Sequence, residues 1–211
     1  MTDFFKQLSI QRWDDHRFYH QSTINQTLHL ISAISFLVAY AVMFKDPASA
    51  GLIGWLVSMA TRQSGHFFFE PLGFDTFNNV SHEYKEEVKV GYNLRRKTVL
   101  IAIWAFCPVL LLINPSFLGL VTPHATWQEF VHNVGLIWFG LGVIGLCFRV
   151  IHLFFIKDVM SGLVWATKII TDPFHDIALY YKAPLALMRG QLILPPHAQH
   201  DEMEEGVEKA A

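Results

Sequence analysis

Histidine is the residue type whose positions in this chain most clearly indicate chemistry. The sequence holds 11 histidines, and imidazole is both a proton carrier near neutral pH and a common metal ligand. Ionisable side chains in or beside a membrane are costly and tend to mark function. Five of the histidines lie at ends of long apolar segments that the charge pattern places on one side of a membrane: His16, His20, His29, His66 and His152.

Two spacings bring candidate ligands together. His66 and Glu70 are four residues apart, which on a helix places the imidazole and the carboxylate on one face, about 5 to 6 Å apart at Cβ. His20 and His29 are nine residues apart, so on one continuous helix their side chains would point in nearly opposite directions. The sequence QSTIN between them is rich in residues that favour helix N-termini. It therefore predicts a helix break that lets the two histidines converge.

The predicted ligand set is imidazole with carboxylate, which suits non-haem iron(II) and, less distinctively, zinc or manganese. His152, at the inner end of the last apolar segment, is a candidate to complete the site. Cys107 and Cys147 both lie inside apolar segments, so a thiolate zinc site is excluded. Taken singly, each histidine is explained more simply by hydrogen bonds to water or lipid headgroups, and His66 with Glu70 by a pair within one helix. Their grouping at one depth favours a metal or proton site.

The two spacings also match a known pattern. The sequence YHQSTINQTLH (His-x4-Asn-x3-His) and the later GHFFFEP (Gly-His-x3-Glu-Pro) resemble the 2-hydroxy fatty acid dioxygenase family, small multi-pass membrane proteins of fatty-acid α-oxidation. The resemblance covers about the first 80 residues. The chain departs from the family pattern after each motif, with HLISAISF and PLGFD, and its carboxyl-terminal segment DPFHDIALYYKAP is not matched.

The resemblance implies a set of roles. His20, His29 and His66 would be Fe(II) ligands, Glu70 would be a further ligand or a partner of one, and Asn25 would orient a ligand or bound oxygen. The substrates would be a 2-hydroxy fatty acid and oxygen, and the acid would be shortened by one carbon. The acyl tail would stay in the bilayer.

Composition places these motifs in a membrane protein. The 211 residues are 52% hydrophobic and only 16% charged, with a formal net charge of −2, whereas soluble domains carry about 25% charged residues. A nucleic-acid-binding protein and a disordered chain are thereby excluded. Four apolar segments, at residues 28–44, 48–69, 98–113 and 130–155, are each near the length that a transmembrane helix needs. We expect one all-α, integral membrane domain over residues 1–190.

Lys and Arg predict the orientation. They concentrate before the first segment, between the second and third, and after the fourth, so the positive-inside rule places both termini in the cytoplasm. Residues 159–189 predict interfacial helices, broken at Asp172-Pro173 and again near Pro184, and residues 191–211 predict a flexible tail. The membrane would be the inner or plasma membrane of a bacterium, or the endoplasmic reticulum of a eukaryote.

Two other function classes compete with the dioxygenase. A transporter or proton-relay module would need polar residues through the depth of the membrane, and the first and third apolar segments are nearly free of ionisable groups. A di-iron hydroxylase or desaturase would need more histidine-rich motifs, of which only His16-x3-His20 is present. The one-sided grouping of histidines favours an interfacial enzyme.

Overall fold

Helices form the fold. The computed structural model describes residues 2–70, 73–90 and 94–194, and within these ranges it contains no strands. In chain order the helices are α1 (Thr2–Tyr19), α2 (Thr23–Val42), α3 (Pro47–Ile53), a π-helical turn (Gly54–Met59), α4 (Ala60–Phe68), α5 (His82–Val88), α6 (Leu94–Ile113), α7 (Trp127–Ile156), α8 (Val159–Tyr180) and α9 (Ala183–Met188). The all-α prediction is confirmed for this part of the chain.

Three of these helices are long and apolar enough to cross a membrane: Thr23–Val42, Arg96–Ile113 and Trp127–Ile156. They correspond to the first, third and fourth predicted segments. The second predicted segment, residues 48–69, is helical as far as Phe68 and is divided by the π-helical turn into α3 and α4. Large apolar side chains such as Phe106, Ile113 and Phe155 are exposed on α6 and α7, as lipid-facing side chains are.

Two glycines allow α3 and α7 to touch through their backbones. A Cβ atom on Gly51 would lie 2.9 Å from the backbone nitrogen of Phe139, and one on Gly135 would lie 3.0 Å from Cα of Ala48. Such contacts are tighter than a side chain allows, so only glycine fits at both positions. Close backbone packing of this kind is common where helices associate in lipid.

An apolar cluster joins α3 and the π-helical turn to α6 and α7. The Trp55 indole N–H donates to the Trp138 carbonyl at 2.7 Å, which satisfies the polar end of a buried aromatic side chain. The buried members of the cluster are Trp55, Cys107, Leu111, Phe130, Val134 and Trp138.

α8 packs against α1, α2 and α7 and continues through Pro173, so the predicted break at Asp172-Pro173 is wrong. A proline removes one backbone hydrogen bond from a helix. Here Asp172, the residue before the proline, accepts hydrogen bonds from Lys168 at 2.8 Å and from Arg12 at 3.3 Å, and Pro173 is buried. Tertiary contacts therefore keep the helix continuous. The second predicted break is present, because Tyr181 and Lys182 separate α8 from α9.

The chain beyond α9 returns to the start of α2. Ser22 and Ile193 form an antiparallel bridge, with the Thr23 backbone N–H donating to the Leu192 carbonyl at 3.0 Å and the Leu194 N–H donating to the Gln21 carbonyl at 3.0 Å. The ordered chain therefore extends past the predicted domain boundary at residue 190. The remainder of the predicted tail, residues 195–211, lies outside the described residues.

Candidate metal centre

The break between α1 and α2 brings His20 next to His29. Side chains of α2 fold back over the break: Asn25 Nδ2 donates to the Tyr19 carbonyl at 2.8 Å, and Gln26 Nε2 donates to the His20 carbonyl at 2.8 Å. The His20 and His29 ring centroids lie 4.0 Å apart. The break predicted from QSTIN is thus confirmed, and the two imidazoles converge as that break requires.

His66 reaches the same place because the residue before it is glycine. A Cβ atom on Gly65 would overlap Oδ1 of Asn25 and would lie 3.3 Å from Cδ2 of His29. Without it, α4 packs directly on the face of α2 that carries His29. The His66 ring centroid lies 4.9 Å from that of His29 and 5.6 Å from that of His20.

The three imidazoles form a group that could hold one metal ion. One ring nitrogen from each of His20, His29 and His66 lies within 4.8 Å of the corresponding atoms of the other two. Buried polar atoms normally have a hydrogen-bond partner, yet Nε2 of His20 and both ring nitrogens of His29 have none among the described residues. Unpartnered lone pairs on converging imidazoles are what a bound metal would satisfy. Imidazole ligands suit iron, zinc, copper and nickel.

The protonation state of His20 is the one that a metal ligand needs. Burial lowers the pKa of His20 well below its ordinary value, and the neighbouring His29 and His16 lower it further. His20 is therefore neutral at physiological pH. Only a neutral imidazole has a ring nitrogen with a free lone pair to offer a metal ion.

Glu70 contacts His66 and not the group as a whole. Its Oε2 lies 2.9 Å from His66 Nδ1, and its Oε1 lies 3.3 Å from Nζ of Lys89. Both carboxylate oxygens therefore have partners, and His66 keeps its Nε2 for the centre. A carboxylate that accepts the second N–H of a metal-binding histidine is a recurrent arrangement in metal sites. Pro71, which follows Glu70 in the motif, lies outside the described residues.

His152 is not among the histidines that the structure brings together. It lies near the end of α7, where its Nδ1 is 2.9 Å from Nη1 of Arg149 and its ring stacks on Phe148 at 5.9 Å between centroids. The depth of a residue along the membrane normal does not fix its place around the helix bundle. For that reason the predicted shared depth of His152 and the other histidines does not make them neighbours.

The amide nitrogen of Asn25 is directed at the helix break and not at the three histidines. Its Nδ2 is used by the Tyr19 carbonyl, while its buried Oδ1 has no partner within the described part of the chain. The arginines that precede the two motifs, Arg62 and Arg17, are both paired with carboxylates. Arg62 Nη1 lies 3.0 Å from Asp176 Oδ2, and Arg17 Nη2 lies 2.6 Å from Asp14.

Two residues near the centre, Asp176 and Tyr180, escaped the sequence analysis, and His16 was grouped with the other histidines but was not assigned to the site. The Tyr180 hydroxyl contacts Nδ1 of both His16 and His20, at 2.7 Å for His20. Asp176 Oδ2 lies 3.9 Å from His29 Nδ1. The four-residue spacing of Asp176 and Tyr180 in DPFHDIALYY was the available signal, because it places both side chains on one face of a helix.

A charged network fixes α8 to α1 beside the centre. Lys168 contacts both Asp15 and Asp172, and Arg12 also contacts Asp172. Burial lowers the pKa of Lys168, but the charges of Asp15 and Asp172 more than reverse this and raise it above its ordinary value. Lys168 is therefore a cation at neutral pH, paired with two carboxylates.

Comparison of this chain with known protein families, with curated proteins and with solved structures finds no match.

Proposed function

We propose that this protein is an iron(II)-dependent dioxygenase that acts on 2-hydroxy fatty acids at the membrane interface and shortens them by one carbon. One observation carries the proposal: the three histidines of the two motifs converge, and buried ring nitrogens of His20 and His29 have no partner among the described residues. The motif resemblance, which rests on these same residues, supplies the reaction and the metal. The structure supports the presence of a centre that could hold an ion.

The proposed topology has four spans, with the stretch Pro47–Phe68 as the second, and both termini in the cytoplasm. His29 is six residues into α2, so it lies about 9 Å from the first residue of that helix. His66 is close to the end of α4. Both positions suit a centre at the cytoplasmic interface, where the headgroup of a lipid meets water.

A fatty-acyl substrate is supported by the surface beside the centre. The three phenylalanines that follow His66 in the chain are exposed, and the side chain of Phe68 is 76% exposed. Exposed apolar side chains at an interface provide contact for a lipid chain. In the proposed complex the acyl tail lies along this surface in the bilayer, and the carboxylate and 2-hydroxyl reach the histidines.

The residues of the chain have distinct parts in this proposal. His20, His29 and His66 would hold the ion, and Glu70 would orient His66 through its Nδ1. A bound iron(II) ion would supply open coordination positions at which a 2-hydroxy acid and oxygen are brought together. Because Arg62 is already paired with Asp176, its guanidinium does not serve as the carboxylate anchor in this proposal.

The reaction balances without an external reductant. One 2-hydroxy acid, R–CH(OH)–COOH, and one O₂ contain the atoms of one shortened acid, R–COOH, one CO₂ and one water. The carbon–carbon bond beside the carboxyl group breaks, and the substrate carbons supply the electrons that reduce oxygen. No reductase partner is therefore part of the proposal.

The proton-relay alternative requires a polar path through the membrane. The cluster around Trp55, Leu111, Phe130 and Trp138 is apolar and tightly packed where α3, α6 and α7 meet. This packing favours a site that opens to one side of the membrane, as the proposed enzyme requires.

Metal content and product formation test the proposal. The full-length protein would be purified anaerobically in detergent with iron(II) supplied, as wild type and as His29→Ala and His66→Ala, with the exposed His132→Ala as the control. We expect about one iron per chain in the wild type and in His132→Ala, and little in the other two variants. Oxygen-dependent shortening of a 2-hydroxy acid, with a 3-hydroxy acid left unchanged, should follow the iron content.

A folded wild type that binds no metal would refute the proposal. So would iron binding accompanied by no oxygen uptake with 2-hydroxy acids across the common chain lengths. The second result would separate a metal centre of another function from the proposed enzyme.

A further inference from the structure

α8 contributes no histidine to the group of three, but two of its side chains reach that group. Asp176 and Tyr180 lie one helical turn apart on the same face and are both 0% exposed. Each is directed at the Nδ1 side of a different histidine. Burying a carboxylate and a phenol beside a cluster of imidazoles is costly unless each has a partner there.

We propose that Asp176 and Tyr180 are positioning residues that set the ring orientation and the tautomer of His29 and His20, so that Nε2 of each faces the metal. This inference rests on the proposed metal centre. It extends that centre to a part of the chain that the motifs do not include.

The hydrogen-bond directions around Tyr180 support this assignment. A tyrosine hydroxyl is protonated at neutral pH and has one hydrogen to donate. The hydroxyl contacts Nδ1 of His16 and Nδ1 of His20. Two opposite hydrogen-bond directions satisfy both contacts, and the one that leaves Nε2 of His20 free for a metal has His20 Nδ1–H donating to the hydroxyl oxygen and the hydroxyl donating to His16 Nδ1.

That arrangement leaves His20 with its hydrogen on Nδ1 and a free lone pair on Nε2. This Nε2 is the atom that is buried without a partner among the described residues. Tyr180 thus accounts for the direction in which His20 offers its lone pair. His16 is needed as the acceptor that closes the arrangement.

Asp176 acts on His29 through its charge. Its Oδ2 lies 3.9 Å from His29 Nδ1, beyond hydrogen-bond distance but close enough for a buried negative charge to favour the tautomer with hydrogen on Nδ1. The same oxygen is held by Arg62 Nη1 at 3.0 Å. Arg62 therefore fixes the carboxylate in place, and the carboxylate in turn faces His29.

All three histidines then follow one scheme. His66 faces Glu70, His20 faces Tyr180 and His29 faces Asp176, in each case through Nδ1. This leaves Nε2 of each ring for the centre. Removal of such outer partners typically weakens metal binding about 10- to 100-fold, and we expect losses in this range.

The test uses cobalt(II) as a spectroscopic probe on the full-length protein in detergent. Asp176→Asn and Tyr180→Phe would be compared with Asp172→Asn and Tyr181→Phe. Asp172 lies one turn before Asp176 and shares its ion-pair network, and its ion-pair partners among the described residues are Arg12, Arg62 and Lys168 and include no histidine. Tyr181 is 60% exposed. Metal affinity, the visible cobalt(II) spectrum and thermal unfolding of the metal-free protein would be measured for each.

We expect Asp176→Asn and Tyr180→Phe to bind cobalt(II) about 10- to 100-fold more weakly than the wild type, with shifted visible bands. Asp172→Asn should lower the unfolding temperature but change the affinity less than threefold. Tyr181→Phe should match the wild type in all three measurements. A merely structural role of Asp176 would instead make its variant behave as Asp172→Asn does.

The outcomes separate the two proposals. A wild type that binds neither cobalt(II) nor iron(II) refutes the metal centre itself. A wild type that binds metal, with Asp176→Asn and Tyr180→Phe binding equally well and with the same spectrum, overturns this inference alone. If Asp176→Asn does not fold, Tyr180→Phe decides the question, because it removes only one hydroxyl.

Discussion

The contact between α4 and α2 at Gly65 can be tested by adding one methyl group. In Gly65→Ala, the new Cβ would overlap Oδ1 of Asn25 and would lie 3.2 Å from its Cγ. Asn25 has little freedom to move, because it is fully buried and its Nδ2 donates to the Tyr19 carbonyl at 2.8 Å. The strain therefore falls on the helix contact and on the break beside His20.

The magnitude follows from three contributions. Overpacking a close contact costs about 1–3 kcal/mol, and losing the Asn25 hydrogen bond leaves buried polar groups unpaired at a further cost of about 1–3 kcal/mol. The higher helix propensity of alanine returns about 1 kcal/mol. We therefore expect Gly65→Ala to lose about 1–5 kcal/mol of the free energy of unfolding and to bind metal more weakly.

Unfolding in mixed detergent micelles and cobalt(II) titration would measure the two effects. The matched control is Gly140→Ala in α7, where a Cβ meets nothing within 4 Å, and which should be neutral or stabilised by up to about 1 kcal/mol. If Gly65→Ala were as stable as Gly140→Ala and bound metal with unchanged affinity, the reasoning about this close approach would be refuted.

Three further predictions concern the ends of the site and its surroundings. Glu70→Gln should weaken cobalt(II) binding about tenfold or more, because it removes the charge facing His66. The matched control is Glu86→Gln, which removes the other carboxylate paired with Lys89 and should leave the affinity unchanged. Equal affinities of the two variants would contradict the role of Glu70. His152→Ala should keep the metal stoichiometry of the wild type, measured by elemental analysis. Loss of the metal in this variant would show that His152 belongs to the site. Burial raises the pKa of Asp75, but hydrogen bonds from two amide side chains and a nearby lysine lower it below the ordinary 3.8. A carboxylate whose pKa is lower in the folded state stabilises the fold above pH 3.8, and this stabilisation is lost as the pH falls below that value. Asp75→Asn should therefore be less stable than the wild type at neutral pH and should lose less stability in acid, as followed by circular dichroism.

Local patterns in the sequence predict the helices and half of the site. Apolar segments of spanning length predict α2, α6 and α7 within a few residues, because their lipid-facing surfaces are apolar along the whole length. The cap-forming residues of QSTIN predict the break that joins His20 to His29. The four-residue spacing predicts the His66–Glu70 contact, which the structure has at 2.9 Å.

The rest depends on contacts between distant segments. The spacing of Asp176 and Tyr180 does not predict that α8 lies beside α2. That placement depends on ion pairs that α8 makes with Arg12 and Asp15 in α1. The continuity of α8 through Pro173 has the same origin. His152 was predicted to lie at the same membrane depth as the other histidines, but that prediction does not determine its neighbours, which are Arg149 and Phe148.

The π-helical turn between α3 and α4 has a consequence for how this segment can change in length. Gly51 must face α7 and Gly65 must face α2, but on an uninterrupted helix the two positions would point only about 40° apart. A π turn absorbs one extra residue, which shifts this angle by roughly 100° and turns the two glycines to different neighbours. Deleting one residue of Gly54–Met59 would remove the extra residue, so the segment could become a regular α-helix that keeps Gly51 and Gly65 at the same angle and leaves His66 beside His20 and His29. The π-helical turn thus takes up one residue more than the orientation of the site requires, so a one-residue deletion there should preserve metal binding as long as every histidine is retained.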